Sequence, residues 1–368
     1  MLLQPDLLNL LACPKCKQPV EMAGSEEAVQ CRSCHACFEV HDGIPVMLDR
    51  RVRSREHGAA PHDALLSGNG RLLILNDGKP GHVNQSLAFA RLLNREYTML
   101  DVGFKYRTSK GFSYLADRIG IYTPLLFMSE IPSGRYDAVV SAGSETYYAN
   151  RTLARRLGCK SITTMMPKSY RLNFDLIVAQ HHDNPPVQAN IVPVPINLSF
   201  SQPQGVVTPT VGERYIALII GGDNSQQAMD VELLRQQVEK ILTLFPDHRV
   251  WMTTSRRTPP AAEKMLRQYD FEDAIWYSQN QVNPIADYLH YADYVFVTAD
   301  SSSMVSEAVG FGTACVEVVP LAAQLPKRGK FIRLLSQLEQ MGCLHVFDGS
   351  CGSCQKKVDL SCLLNNSK

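Results

Sequence analysis

Apolar positions along the chain fall into three textures. Met1–Leu48 carries short apolar runs broken by cysteines and turn residues. Asp49–Gly70 has no apolar periodicity: Arg50, Arg51, Arg53 and Arg55 lead into Gly58-Ala-Ala-Pro61 and Ser67-Gly-Asn-Gly70, the composition of a charged linker. From Arg71 onward, short β-rich runs alternate with helical stretches. Leu72–Leu75, Tyr97–Leu100, Ala138–Val140, Ser161–Met165 and Leu176–Ala179 come first, then Ile216–Ile220, Arg249–Met252, Tyr294–Thr298 and Cys315–Val319. Val83–Arg95 and Asp230–Leu244 have amphipathic helical spacing. This alternation predicts parallel sheets wound by helices. Pro203–Gly212, rich in Pro, Gly, Thr and Gln, divides the alternating region in two. The expected fold is α/β, with two doubly wound Rossmann-like domains over 71–204 and 205–342 facing a cleft. A Cys-rich module over 1–48 and a linker over 49–70 precede them, and a Cys-containing tail over 343–368 follows. No repeat of solenoid length is present.

Composition changes this picture little. The 368 residues are 45% hydrophobic and 20% charged with a net charge of +1, which is ordinary globular composition and gives no argument for nucleic-acid binding. Met1-Leu2-Leu3 lacks a basic start and is soon interrupted by Gln4, Pro5 and Asp6, and no apolar run reaches the roughly 20 residues a spanning helix needs. The expectation is a cytoplasmic protein, with peripheral contact at the inner membrane left open.

Cysteine placement is more informative. Of eleven cysteines, five fall between Cys13 and Cys37 and four between Cys343 and Cys362, which suggests metal sites at the two ends rather than a disulfide framework. Cys13-Pro-Lys-Cys16 and Cys31-Arg-Ser-Cys34 form two knuckles that can place four thiolates around one structural Zn²⁺. A module of this size buries little apolar surface, so the metal would supply folding energy. Cys37, with His35 and His41 nearby, allows an alternative ligand set. In the tail, Cys351-Gly-Ser-Cys354, flanked by Cys343 and Cys362, is a weaker second zinc candidate.

Three loops carry candidate chemistry. After the first strand of the large region, Asn76-Asp-Gly-Lys-Pro-Gly-His82 leads into a helix. Gly78 and Gly81 let backbone approach a ligand, and His82 at the loop–helix junction can act as a general base or merely cap its loop. The spacing is neither a P-loop nor a dinucleotide fingerprint. The second domain opens with Gly221-Gly222-Asp223-Asn224-Ser225 after a buried strand. Thr254-Ser255-Arg256-Arg257 then places adjacent arginines at a strand end, where they suit phosphate. Arg256 is favoured there over Arg257. Last, Thr298-Ala-Asp-Ser-Ser-Ser-Met-Val-Ser-Glu307 turns from strand to helix. Ser302, Ser303 and the N–H groups of Met304 and Val305 would face a diphosphate, with Glu307 a turn further on toward ribose hydroxyls. Tyr106, Phe112 and Tyr114 read either as core or as a face toward an apolar acceptor or a membrane.

These motifs resemble known families. Leu10-Leu-Ala-Cys-Pro-Lys-Cys16 and Asp42-Gly-Ile-Pro-Val-Met-Leu48 resemble the short zinc ribbons that include tRNA-methyltransferase activators, which implies a protein-docking or stabilising role. Gly81-His82, Gly221-Gly222 and Ser302–Glu307 occupy places similar to the loops of GT-B glycosyltransferases, the peptidoglycan N-acetylglucosaminyltransferases in particular. A closer resemblance, over about Leu72–Leu335, is to the mitochondrial fission family of the plant elongated-mitochondria protein. It rests on Asp77-Gly-Lys-Pro-Gly-His-Val-Asn-Gln85, Ser141-Ala-Gly-Ser144, His182-Asp183, Thr253-Thr-Ser-Arg-Arg-Thr-Pro259 and Met304-Val-Ser-Glu-Ala308. The implied activity is glycosyl transfer, of inverting type, from a nucleotide-sugar donor to a glycan or lipid-linked acceptor in envelope synthesis. His82 or Asp77 would be the base, Asp183 a weaker candidate, Ser141–Ser144 the cleft lining, and no catalytic metal is expected. The rival reading is a non-catalytic GT-B-like scaffold that recruits a partner through the zinc ribbon.

Overall fold

The computed structural model describes residues 8, 11–13, 18–22, 28–34, 37–41, 44–45, 69–106, 108–128, 133–168, 171–224, 227–322, 329–353 and 356–365. The chain divides into two compact units, Met1–Ala59 and Ala60–Lys368. In the first, strands β1 (Val20–Met22), β2 (Ala28–Cys31), β3 (Cys37–His41) and β4 (Ile44–Pro45) form one antiparallel sheet in sequence order. Its small core is Cys13, Val20, Val29, Cys31 and Phe38. The expected linker lies almost wholly outside the described residues.

The second unit holds two six-stranded parallel sheets. The first is built from β5 (Leu72–Asn76), β6 (Tyr97–Asp101), β9 (Ala138–Ser141), β10 (Lys160–Thr163), β11 (Leu176–Gln180) and β12 (Ile191–Val194), ordered β12-β11-β10-β9-β5-β6. A two-stranded ribbon, β7 (Gly103–Phe104) and β8 (Phe127–Met128), stands beside it. The second sheet is built from β13 (Tyr215–Ile220), β14 (Arg249–Thr254), β15 (Asp273–Ile275), β16 (Tyr294–Thr298), β17 (Cys315–Val319) and β18 (His345–Val346), ordered β15-β14-β13-β16-β17-β18. The helices are α1 (Pro80–Leu92), α2 (Ser109–Arg118), α3 (Tyr147–Leu157), α4 (Val231–Leu244), α5 (Pro260–Leu266), α6 (Ile285–Tyr291), α7 (Ser302–Gly310), α8 (Lys330–Gln340) and α9 (Leu360–Asn365). Two Rossmann-like domains stand in tandem, as the alternation predicts. No described helix is long and apolar enough to cross a membrane.

Local chemistry explains the elements. Every residue of β13 is buried, as expected of a strand covered on both faces. Asp230 caps α4 by accepting the N–H groups of Glu232 and Leu233 at 3.1 and 3.0 Å. Gly158 ends α3 in the left-handed conformation at φ 65°. Tyr215, Trp251 and Tyr288 stack in the second core with centroids 4.0 and 5.5 Å apart.

The segment set apart as a tail is built into the fold. β18 is the sixth strand of the second sheet, and α9 returns to pack on β12 with Leu360 and Leu364 buried. Cys343 is buried in the core rather than offered to a metal, because it follows directly on α8 between Leu338 and Leu344. Among the described residues Cys343, Cys351 and Cys362 form no ligand group, and Cys354 lies outside them.

The connection between the two domains is fixed by one carboxylate. Asp287 on α6 is fully buried, and its oxygens accept the N–H groups of Gln204, Gly205, Val206 and Val207 at 2.6–3.3 Å. Removing it leaves four backbone donors, that of Val207 buried, without their acceptor. Asp287→Ala is expected to destabilise the chain by about 3 kcal/mol, a fall of roughly 5 °C in melting temperature. Calorimetry on the full chain checks this, and an unchanged melting temperature refutes the role.

Candidate functional site

The first sheet reverses direction between β5 and β9, because β6 lies on one side of β5 and β9 on the other. Doubly wound folds bind ligands outside the carboxyl ends of the strands at such a reversal. The loops after β5 and β9 meet there. Asp77 Oδ2 lies 2.7 Å from His82 Nδ1, and its Oδ1 accepts the Lys79 N–H at 3.1 Å. The Asp77 side chain is 2% exposed and that of His82 25%, so the carboxylate is withdrawn while the ring stays accessible. Gly143 lies beneath the ring at φ +83°, and a Cβ there would fall 2.2 Å from His82 Cε1. Only glycine permits this approach. One turn along α1, Gln85 Oε1 accepts the Gln180 side-chain amide at 3.1 Å. The two base candidates of the sequence therefore form one unit, in which Asp77 fixes the orientation of the ring.

The second sheet reverses between β13 and β16, and again the loops with candidate residues lie at the reversal. Asp300 joins them. Its Oδ1 accepts the Thr298 hydroxyl at 2.6 Å, Thr298 Oγ1 accepts the Gly221 N–H at 2.6 Å, and Arg257 Nη2 donates to Asp300 Oδ2 at 2.5 Å. Burial pushes the Asp300 carboxyl up, and the Thr298 hydroxyl, Arg257 and the Gly222 N–H pull it back. Gly222 abuts Arg257 so closely that a Cβ would lie 1.9 Å from its carbonyl oxygen. Thr258 Oγ1 donates toward Gly221 O at 2.5 Å.

The candidate residues of this half fall in different places. Arg257, not Arg256, turns toward Asp300; Arg256 is exposed. The reason is the turn itself: Ser255 Oγ accepts the Arg257 N–H at 3.2 Å, and the Ser255 N–H donates to Thr258 Oγ1 at 2.8 Å. Ser301 caps α7, and its Oγ and carbonyl take the Met304 and Val305 N–H groups at 3.4 and 3.1 Å. The first N–H groups of α7, those of Ser302 and Ser303, are not taken by this cap. Ser302 Oγ accepts the Asn197 amide at 3.2 Å, and Ser306 Oγ accepts the Asn197 backbone N–H at 3.1 Å. Asn197 carried no sequence signal. Ser225 lies outside the described residues.

Glu307 does not join these loops. Its Oε1 accepts the Ser201 hydroxyl at 2.8 Å, and it lines a cavity of about 690 Å³ with Arg91, Asn94, Phe200 and Asn283. Arg91 is nine residues beyond His82 on α1, about 14 Å along the axis. Asp183 is taken up by an ion pair with Lys330, while Arg333 donates to the His182 carbonyl and Gln337 lies 2.6 Å from His181 Nδ1. α8 is thereby clamped to the loop after β11.

In the N-terminal unit, the Cys13, Cys31 and Cys34 sulfurs lie within 4.8 Å of one another, with Cys13 and Cys34 3.6 Å apart. Four thiolates around Zn²⁺ stand about 3.8 Å apart, so the spacing fits the metal. The Ser33 and Cys34 N–H groups point at Cys31 Sγ from 3.4 and 3.5 Å, which favours a thiolate. Cys16 and the side chains of His35, Cys37 and His41 lie outside the described residues.

Burial pushes the Glu307 carboxyl up, with the Ser201 hydroxyl opposing. An acid raised on folding favours the native state while protonated, and this is lost as pH rises through its folded value. Glu307→Gln keeps the shape without the charge. It is expected to raise the melting temperature at pH 8, with a gap that narrows toward pH 5. A gap independent of pH contradicts the desolvation of this carboxyl.

The mitochondrial fission ELM1 family model matches residues 80–361, and the Trm112p-like protein model matches residues 4–43. A UPF0434 protein of Azotobacter vinelandii is 40% identical over 52 residues, 14% of this chain and 85% of its own length. A putative UDP-N-acetylglucosamine 2-epimerase from Listeria monocytogenes is similar in structure, with TM-score 0.45, 11% identity, and 81% of this chain and 86% of its own covered. The glycosyltransferase SnogD from Streptomyces nogalater is similar with TM-score 0.40, 13% identity, and 82% and 92% covered. With its dyad and tied loops at two sheet reversals and a Trm112p-like module in front, the chain belongs to the mitochondrial fission ELM1 family.

Proposed function

We propose that the Ala60–Lys368 unit is a GT-B-type glycosyltransferase that uses a nucleotide-sugar donor. The observation that carries this reading is the His82–Asp77 dyad held over Gly143 at the reversal of the first sheet. His82 Nε2 takes the proton of an acceptor hydroxyl while Asp77 stabilises the imidazolium through Nδ1. The hydroxyl oxygen forms a bond to the anomeric carbon, the bond from that carbon to the diphosphate breaks, and the nucleoside diphosphate leaves with inversion. Arg257, with guanidinium donors beyond the one given to Asp300, and the Ser302 and Ser303 N–H groups at the start of α7 balance the leaving charge. Gly221 and Gly222 let the donor approach the backbone. The acceptor class in this reading is a glycan or lipid-linked saccharide of the bacterial envelope.

Release of nucleoside diphosphate from a panel of uridine, guanosine and thymidine diphosphate sugars tests the reading. One donor is expected to turn over, and His82→Ala to slow it about a thousandfold. No turnover with any donor, or full turnover by the variant, refutes it.

A second reading is favoured by one observation: Arg257 is engaged by Asp300 and Glu307 by Ser201, as in a site closed to donor. The unit would then be a non-catalytic scaffold, with the Trm112p-like module docking a protein partner. The turnover experiment separates the two.

In the N-terminal unit we assign structural zinc to Cys13, Cys31 and Cys34, with Cys16 as the fourth ligand from its knuckle. Metal analysis of the full chain is expected to find one zinc, lost in Cys13→Ser/Cys31→Ser. Zinc retained by that variant contradicts the assignment.

A further inference from the structure

Helix α2 is inside out. Its buried residues are Ser109, Ser113 and Asp117, spaced i, i+4, i+8, while Phe112, Leu115 and, just beyond its end, Ile119 face solvent at 61, 59 and 61% exposure. The usual surface helix does the reverse. The inward polar face is fully engaged. Ser113 Oγ donates to Lys110 O at 2.7 Å, and Asp117 receives Arg151 at 2.6 Å and Tyr122 Oη at 2.5 Å and forms an ion pair with Arg171 at 3.0 Å. Rolling the helix to cover its apolar face would leave Arg151 and Arg171 buried without their carboxylate, so the orientation is locked. The loop that follows extends the apolar face with Ile121 and Leu125, the latter 76% exposed. Seven of the sixteen exposed large hydrophobic side chains among the described residues fall between Tyr106 and Leu125. A concentration of this kind marks a binding surface.

Charge names the occupant. Lys105, Arg107, Lys110 and Arg118 lie in this stretch of sequence, and its one acidic residue, Asp117, is withdrawn beneath the helix. Lys105 lies against the exposed Tyr106 ring, and Arg155 reaches in to Gly120 O. Aliphatic and aromatic side chains projecting from a short helix and loop, with Lys105 and Arg118 in the same stretch and Lys110 paired with Glu145 at its side, suit the interface of an anionic bilayer. We propose that residues 105–125 seat this protein on an anionic phospholipid surface, Phe112, Leu115, Ile119 and Leu125 entering the acyl boundary and Lys105 and Arg118 meeting headgroups. The face stands close to the dyad: Lys110 on α2 and Lys79 beside Asp77 both pair with Glu145, at 2.5 and 3.8 Å. The inference does not depend on glycosyl transfer, since it is read from binding alone.

Flotation of the full chain with phosphatidylcholine vesicles, and with an equal mixture of phosphatidylcholine and phosphatidylglycerol, tests it. The chain is expected to float with the mixed vesicles, less so as salt is raised, and about tenfold less with phosphatidylcholine alone. Leu115→Glu/Leu125→Glu is expected to weaken binding to the mixed vesicles by about tenfold or more. Lys105→Glu/Arg118→Glu leaves the apolar face intact and is expected to lose the salt-sensitive part, which keeps the test open if the first variant misfolds. The proposal is overturned if the wild-type chain binds neither vesicle, if both variants bind as the wild type does, or if the chain sediments as a dimer that Leu115→Glu/Leu125→Glu converts to monomer, the face then belonging to a second copy.

Discussion

Everything proposed for the second domain depends on one carboxylate that water does not reach. Asp300 sits where β13 and β16 part, and three loops distant in sequence are tied to it: the Gly221–Gly222 turn through Thr298, the Arg257 turn through an ion pair, and the start of α7 by adjacency in the chain. A buried carboxylate is tolerated only when hydrogen-bonded and paired, so Asp300 demands these partners as much as it holds them. The glycines follow from it. Gly221 has no room for a Cβ against the Asp300 carboxyl, and Gly222 none against Arg257.

The first domain solves the same problem with other residues. Its reversal holds Asp77, withdrawn like Asp300, but the partner is a titratable ring rather than a guanidinium. In the proposed reaction, that contrast would give proton transfer to the first half and fixed positive charge to the second. The clamp of α8 on the loop after β11 and the Asn197 contacts with α7 join the two halves near their strand ends.

Much of this was legible in the sequence. All nine β-rich runs are strands: eight are central parallel strands with mostly apolar runs, and β6, at the edge of the first sheet, alternates exposed and half-buried positions. The strands of the two large sheets that escaped notice, β12, β15 and β18, are sheet edges: short and, in β12, interrupted by the exposed Pro193. The glycine-rich loops and His82 were legible because turn chemistry is local. What was not legible is pairwise and long-range. Arg257 rather than Arg256 follows from a turn closed by Thr258, Glu307 faces Ser201 a hundred residues away, and Asn197 acts only by meeting α7. The aromatics of α2 were ambiguous for a related reason, since periodicity gives a face but not which way it points; Asp117 decides that through Arg151 and Arg171.

The central claim is that the tied loops of the second domain form a nucleotide-diphosphate site. Isothermal titration of the full chain with uridine, guanosine and thymidine diphosphates tests it most directly. The account predicts saturable binding of at least one, weakened by salt and abolished by Arg257→Ala in a chain that still melts cooperatively. Absence of binding by all three, or binding that Arg257→Ala leaves unchanged, would contradict it.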